Sequence, residues 1–88
     1  MRENEAQARI EIRVRDRVGV VSEITGAIAS LGLPIRQHQA RVVRERSGQE
    51  VSVFRADLAA DEAGIRDLRR RITRIKGFLD IQELDRYG

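Results

Sequence analysis

The residues best placed to do chemistry stand together in RDRVGVVSEIT, Arg15 to Thr25. An aspartate and an arginine are followed, three positions after the aspartate, by a glycine, just where the hydrophobic pattern changes period. With Asp16 as the N-cap of a helix, its carboxylate accepts from the amide of Val18 or Gly19, and Gly19 in the first turn leaves the backbone N–H groups uncovered. Such a helix end, carrying the positive pole of the macrodipole, suits a small carboxylate. From the residues alone, the glycine reads equally well as a place where the loop packs tightly on a sheet.

Little else in the chain is equipped for catalysis. His38 is the only histidine and there is no cysteine. This removes disulfides, thiolate zinc sites, thiol nucleophiles and Cys/His pairs together, and fits a reducing, cytoplasmic setting. His38 reads as an ordinary strand residue. The acids fall mostly at helix ion-pair spacing, Glu62 with Arg66 and Asp67 with Arg71, both i, i+4. Gly19 stands alone in its turn, with no G-x-x-x-x-G-K phosphate loop around it. The expectation is a non-catalytic chain with no metal and no cofactor. No apolar run reaches the roughly 18 residues of a membrane span, and MRENEAQAR has no apolar signal core.

The elements that position these residues follow from periodicity. Residues 1–7 are polar and aperiodic and read as a flexible leader, with the domain over 8–86. Ile10, Ile12 and Val14 alternate with Glu11, Arg13 and Arg15, as in a strand buried on one face. Val20, Val21, Ile24, Ala27, Ile28 and Leu31 share one helical face, and Gly32 with Pro34 ends that helix. Ile35 to Glu45 reads as a second strand, its alternation poor, with a bulge or a change of face at Val42 and Val43. RSGQ turns into a third strand, Val51 to Leu58. Asp61 caps a second helix with the stripe Ile65, Leu68, Ile72 and Ile75, stopped by Gly77, and Phe78 to Leu84 is a last short strand.

The order βαββαβ has a preferred solution: two helices on one face of a four-stranded antiparallel sheet, the ferredoxin-like α+β fold. Right-handed crossovers put the first and third strands in the centre and leave the second and fourth at the edges. The other sheet face carries Glu11, Arg13 and Arg15, with Val51 and Val53 further across. An uncovered edge beside apolar positions invites another chain, so a homodimer is expected.

Charge raises a nucleic-acid reading. Of 17 basic residues only Lys76 is a lysine, against 14 acids, for a net charge of +3. The signs are interspersed rather than blocked. RNA-recognition motifs share this element order but stack bases on aromatic residues of the central strands. Here only Phe54 is available, and its alternation with Ala56 and Leu58 suits the helix-facing side. Arg66, Arg69, Arg70, Arg71 and Arg74 on the second helix read as a solvated face or as a phosphate-contacting surface. Binding there would follow shape and salt, not DNA sequence.

The run DRVGVVSEITGAIASLGLPI, following IEIRV and inside this element order, resembles an ACT domain, the small-molecule-sensing regulatory module of amino-acid metabolism. The ending LRRRITRIKGFLDIQELDR extends the likeness, which is strongest to the C-terminal ACT domain of RelA/SpoT-type stringent-response enzymes, the synthetases and hydrolases of (p)ppGpp. The resemblance implies paired domains and a ligand pocket at Asp16, Arg17, Val18, Gly19 and Val20, with Ile35, Arg36 and Gln37 supplied by the neighbouring chain. Apolar Val18, Val20 and Ile35 favour a branched-chain amino acid. Many ACT sequences carry Pro where Val18 stands, and Asn, a ligand-orienting side chain, where Pro34 stands. The function expected is allosteric regulation of a parent GTP pyrophosphokinase or (p)ppGpp hydrolase. The alternatives are a ligand-free module docking on ribosomal RNA or protein, and an amino-acid sensor of another metabolic enzyme.

Overall fold

The computed structural model describes residues 6–87. The elements run β1 (Gln7–Arg15), α1 (Val20–Ser30), β2 (Ile35–Arg44), β3 (Glu50–Ala59), α2 (Glu62–Ile72) and β4 (Phe78–Tyr87). The four strands form one antiparallel sheet in the order β2-β3-β1-β4. Gln7, expected in the leader, already belongs to β1, Ala6 O accepts from the Ala60 amide at 3.0 Å, and residues 1–5 lie outside the described residues.

The inward row of β1, Ala8, Ile10, Ile12 and Val14, is buried at 1% exposure or less. It meets Phe54, Ala56 and Leu58 of β3, Ile81 of β4, the stripe Val20, Ile24, Ala27 and Ile28 of α1, and Ile65, Leu68 and Ile72 of α2. Period 2 on the strands and period 3.6 on the helices thus converge on one core, and burying each large side chain contributes about 1.5–3 kcal/mol. Phe54 lies on the helix side, and exposed His38 stacks on it with ring centroids 5.3 Å apart.

Several local expectations need correction. Asp16 does not cap α1. Gly19 is the N-cap, at φ 82, no side chain caps that helix end, and the helix begins later than the acid suggested. Residues 16–19 are spent on a turn in which the Asp16 amide donates to Glu50 O at 3.0 Å and the Val20 amide to Arg17 O at 3.2 Å. The bulge expected at Val42 and Val43 is absent. They pair regularly with Ser52 and Val51, and the irregularity falls between Ile35 and Gln37. Both valines are accommodated because β2 is an edge strand with little packed on either side, so its pattern reports burial poorly. Helix α2 ends at Ile72 and continues as tight turns, Arg74 N–H to Arg71 O and Ile75 N–H to Ile72 O, before Gly77 reverses the chain at φ 85. Ile75 is still buried, and apolar spacing does not separate an α-helix from a 3-10 last turn. Asp61 does cap α2, accepting from the Gly64 amide at 2.9 Å. The i, i+4 pairs on α2 do not form among the described residues: Arg71 Nη1 donates instead to Ser30 Oγ of α1 at 3.0 Å. Exposed pairs gain too little to compete.

Candidate functional site

The loop between β1 and α1 is held by the turn that precedes β4. The Arg15 amide donates to Gly77 O at 2.9 Å, and Arg17 Nη2 donates to Lys76 O at 3.2 Å and also pairs with Glu23. Gly77 must be glycine for two reasons: its φ is 85, and a Cβ there would lie 3.1 Å from Arg15 Cβ. The clamp leaves the tip outward. Val18 is 101% exposed, Gly19 and Asp16 are exposed, and Val20 is buried at 1%. A Cβ at Gly19 would meet nothing within 4 Å, so this glycine answers to its positive φ and not to tight packing on the sheet. The first turn of α1 opens toward solvent, and Arg17 Nε is buried in the loop with no hydrogen-bond partner among the described residues.

Ile35, Arg36 and Gln37 stand elsewhere. Ile35 opposes Leu58, which opposes Ala8 at the start of β1, whereas the Gly19 loop follows Arg15, which opposes Val51. Seven residues at about 3.3 Å each separate the two rows by roughly 23 Å. Within one chain, therefore, the structure does not bring the two halves of the expected pocket together. Ile35 packs against the core, Arg36 falls at the register shift between Ile35 and Gln37, and Gln37 Nε2 donates to Asp57 Oδ2 at 2.9 Å.

On α2, Arg69 Nη1 donates to Ile81 O at 3.4 Å and Arg71 is tied to Ser30, while Arg66, Arg70 and Arg74 are exposed. The side chains of those three form no ion pair or hydrogen bond among the described residues.

The sheet face without helices carries a further cluster that sequence reasoning missed. Arg9 grips Asp57 through Nε at 2.7 Å and Nη2 at 3.3 Å, and Glu11 accepts from Arg55 Nη2 at 2.7 Å and Arg13 Nε at 3.3 Å. The Arg9 hydrogen bond holds the Asp57 carboxyl below its ordinary pKa and the Arg55 bond does the same for Glu11, each against an opposing effect of burial. Val51 and Val53 lie on this face, outside the core, yet are 0% and 3% exposed. Arg13 and Arg41 flank Val53, and Arg15 flanks Val51, so long side chains stand where another protein would place a helix. The alternation of Arg9, Glu11, Arg13 and Arg15, matched by Arg55 and Asp57, was the available signal; the strand register was needed to read it.

The arrangement defines a class first: a ferredoxin-like sheet whose two helices leave one face open, with a glycine-marked helix end at one extremity and a bare edge strand. No family model matches the sequence and no curated protein matches it significantly. Among solved structures it resembles the ACT domain from GTP pyrophosphokinase of Chlorobium tepidum, with a TM-score of 0.71 and 19% identity over 89% of this chain and 96% of that one. It also resembles prephenate dehydratase from Arthrobacter aurescens in complex with L-Phe, with a TM-score of 0.74, 19% identity, and coverage of 100% of this chain and 28% of that one. A formyltetrahydrofolate deformylase from Pseudomonas putida matches at a TM-score of 0.58 and 19% identity, over 88% of this chain and 28% of that one. The chain is folded as the Chlorobium ACT domain is, spanning nearly all of it and little more than a quarter of the two larger enzymes.

Proposed function

We propose that this chain is a non-catalytic regulatory ACT domain that senses a small amino acid and relays its binding through dimerisation, as part of a stringent-response (p)ppGpp synthetase or hydrolase. The observation that carries the reading is the Gly19 helix end: a positive-φ glycine, open backbone N–H groups and the spare Arg17 Nε donor suit a carboxylate. The edge strands support the dimer. β4 is guarded by two register shifts, whereas β2 pairs regularly from Gln37 to Arg44 and is exposed along nearly its whole length. Antiparallel pairing of β2 with its copy about a two-fold axis would set Ile35 to Gln37 of one protomer beside the far end of the other's sheet, the end of the Gly19 loop. That joins two half-sites that one chain keeps about 23 Å apart. The relay is then a coupling free energy between ligand and dimer.

Exposed Val18 and partly buried Ile35 favour a branched-chain ligand, while the Val20 side chain is committed to the core. Affinity should be micromolar to millimolar, because one helix-end contact contributes about 0.3–2 kcal/mol and a millimolar complex needs about 4. The test is an amide NMR titration with a panel of amino acids. Saturable shifts at Gly19 and Val20 for one or two of them are expected. No shift with any amino acid would overturn the sensor and favour the second reading, an interaction module that meets ribosomal RNA or protein through exposed Arg66, Arg70 and Arg74.

A further inference from the structure

Two hollows adjoin on the open sheet face along the seam of β3 and β2. One, of about 270 Å³, is lined in part by Arg9, Gln37, Gln39, Arg55 and Asp57, and the other, of about 80 Å³, by Gln39, Ala40, Arg41, Val53 and Arg55. Gln39 and Arg55 line both, so they form one trough, on the face opposite the helices and independent of the Gly19 loop.

The hydrogen-bond balance of this trough is one-sided. Its carboxylate is already paired: Asp57 accepts two bonds from Arg9 and one from Gln37. The adjoining Glu11 is paired with Arg55 and Arg13. Donors remain. Arg55 spends only Nη2, and the side chains of Arg41 and Gln39 form no hydrogen bond or ion pair among the described residues. The floor between Arg41 and Arg13 is Val53, an apolar side chain that strengthens charge-assisted hydrogen bonds above it. A trough whose carboxylates are paired with arginines and which keeps surplus donors takes an acceptor, and with arginine donors it takes an anion.

Its geometry narrows the anion. Gln39 and Arg55 are directly opposed, with Cβ atoms about 5 Å apart, and Arg41 stands two residues along β2, about 7 Å from Gln39. Three donor groups at the corners of a triangle match an anion whose oxygens point in three directions, whereas a planar carboxylate offers two. We infer that Arg41, Arg55 and Gln39 form a binding site for the phosphoryl group of a small phosphorylated compound, seated over Val53. The trough lies at the lower end of small-molecule pocket sizes, which suits a phosphate monoester or pyrophosphate rather than a polymer.

Pyrophosphate is the probe, titrated at constant ionic strength into the nitrogen-15-labelled 88-residue chain, with malonate as the dicarboxylate control. Saturable amide shifts at Gln39, Arg41, Val53 and Arg55 are expected, with malonate binding more weakly. Arg41→Gln, an exposed change that breaks no side-chain hydrogen bond or ion pair among the described residues, should weaken binding at least about tenfold. Arg46→Gln in the exposed turn between β2 and β3, the same change in net charge, should leave it unaltered. Non-saturating shifts, an equal loss in both variants, or malonate binding as tightly as pyrophosphate would each overturn the assignment.

Discussion

Gly19→Ala and Gly26→Ala make the same chemical change at the two ends of a short stretch of chain and should move stability in opposite directions. Gly19 is the N-cap of α1 at φ 82, and a Cβ there meets no atom within 4 Å, so only the backbone objects. Holding an L-residue in the left-handed region costs about 1–2 kcal/mol, offset by about 0.4–1 kcal/mol from a less flexible unfolded chain. The net loss is on the order of 1 kcal/mol. Gly26 sits inside α1, exposed, and its added Cβ also meets nothing, so alanine there should stabilise by about 0.5–1 kcal/mol. For a domain of 88 residues the two variants should separate in Tm by on the order of 10 °C, read from thermal melts and from urea midpoints at unchanged m-value. Gly19→Asn should recover part of the loss, since asparagine tolerates positive φ. A Gly19→Ala variant as stable as the parent, or two variants shifting together, would refute the conformational reason given for Gly19.

The open face should give a signature at acid pH. Asp57 and Glu11 titrate lower in the folded chain than their ordinary values, chiefly through Arg9 and Arg55. Their stabilisation is therefore complete above the unfolded carboxylate values of about 4 and is lost as the pH falls through the depressed folded values. Asp57→Asn should flatten that loss, and an unchanged slope of stability against pH below about 4 would remove the ion pair from the account. For the dimer, sedimentation from micromolar to millimolar concentration should show pairing, with outward β2 amides gaining protection from hydrogen exchange and β4 amides gaining none. A monomer throughout would refute the β2 edge as the pairing surface.

The legible part of the sequence was its periodicity. Ile10, Ile12 and Val14 announced a one-sided strand, Ile24 and Ile28 a helix face, and Phe54, Ala56 and Leu58 the inward side of β3, because burial on one face writes period 2 or period 3.6 directly into the residue order. The Asp61 cap was equally local: an acceptor three residues before the amide it satisfies. Asp16 offered the same local signal, but tertiary hydrogen bonds to Glu50 and Gly77 draw the chain past it, and the helix waits for Gly19.

By itself, then, the sequence determined the elements, their order, the core and the absence of cysteine chemistry, since each depends on neighbours a few positions away. Only the tertiary structure decided the rest. The register placed Arg55 against Glu11 and Gln39, set Arg13 and Arg41 on either side of Val53, and put the Gly19 loop and Ile35 at opposite ends of the sheet. Such relations join residues far apart in the chain, Arg9 and Asp57 being 48 positions apart, and are set by how strands pair across the whole core, which no local pattern encodes.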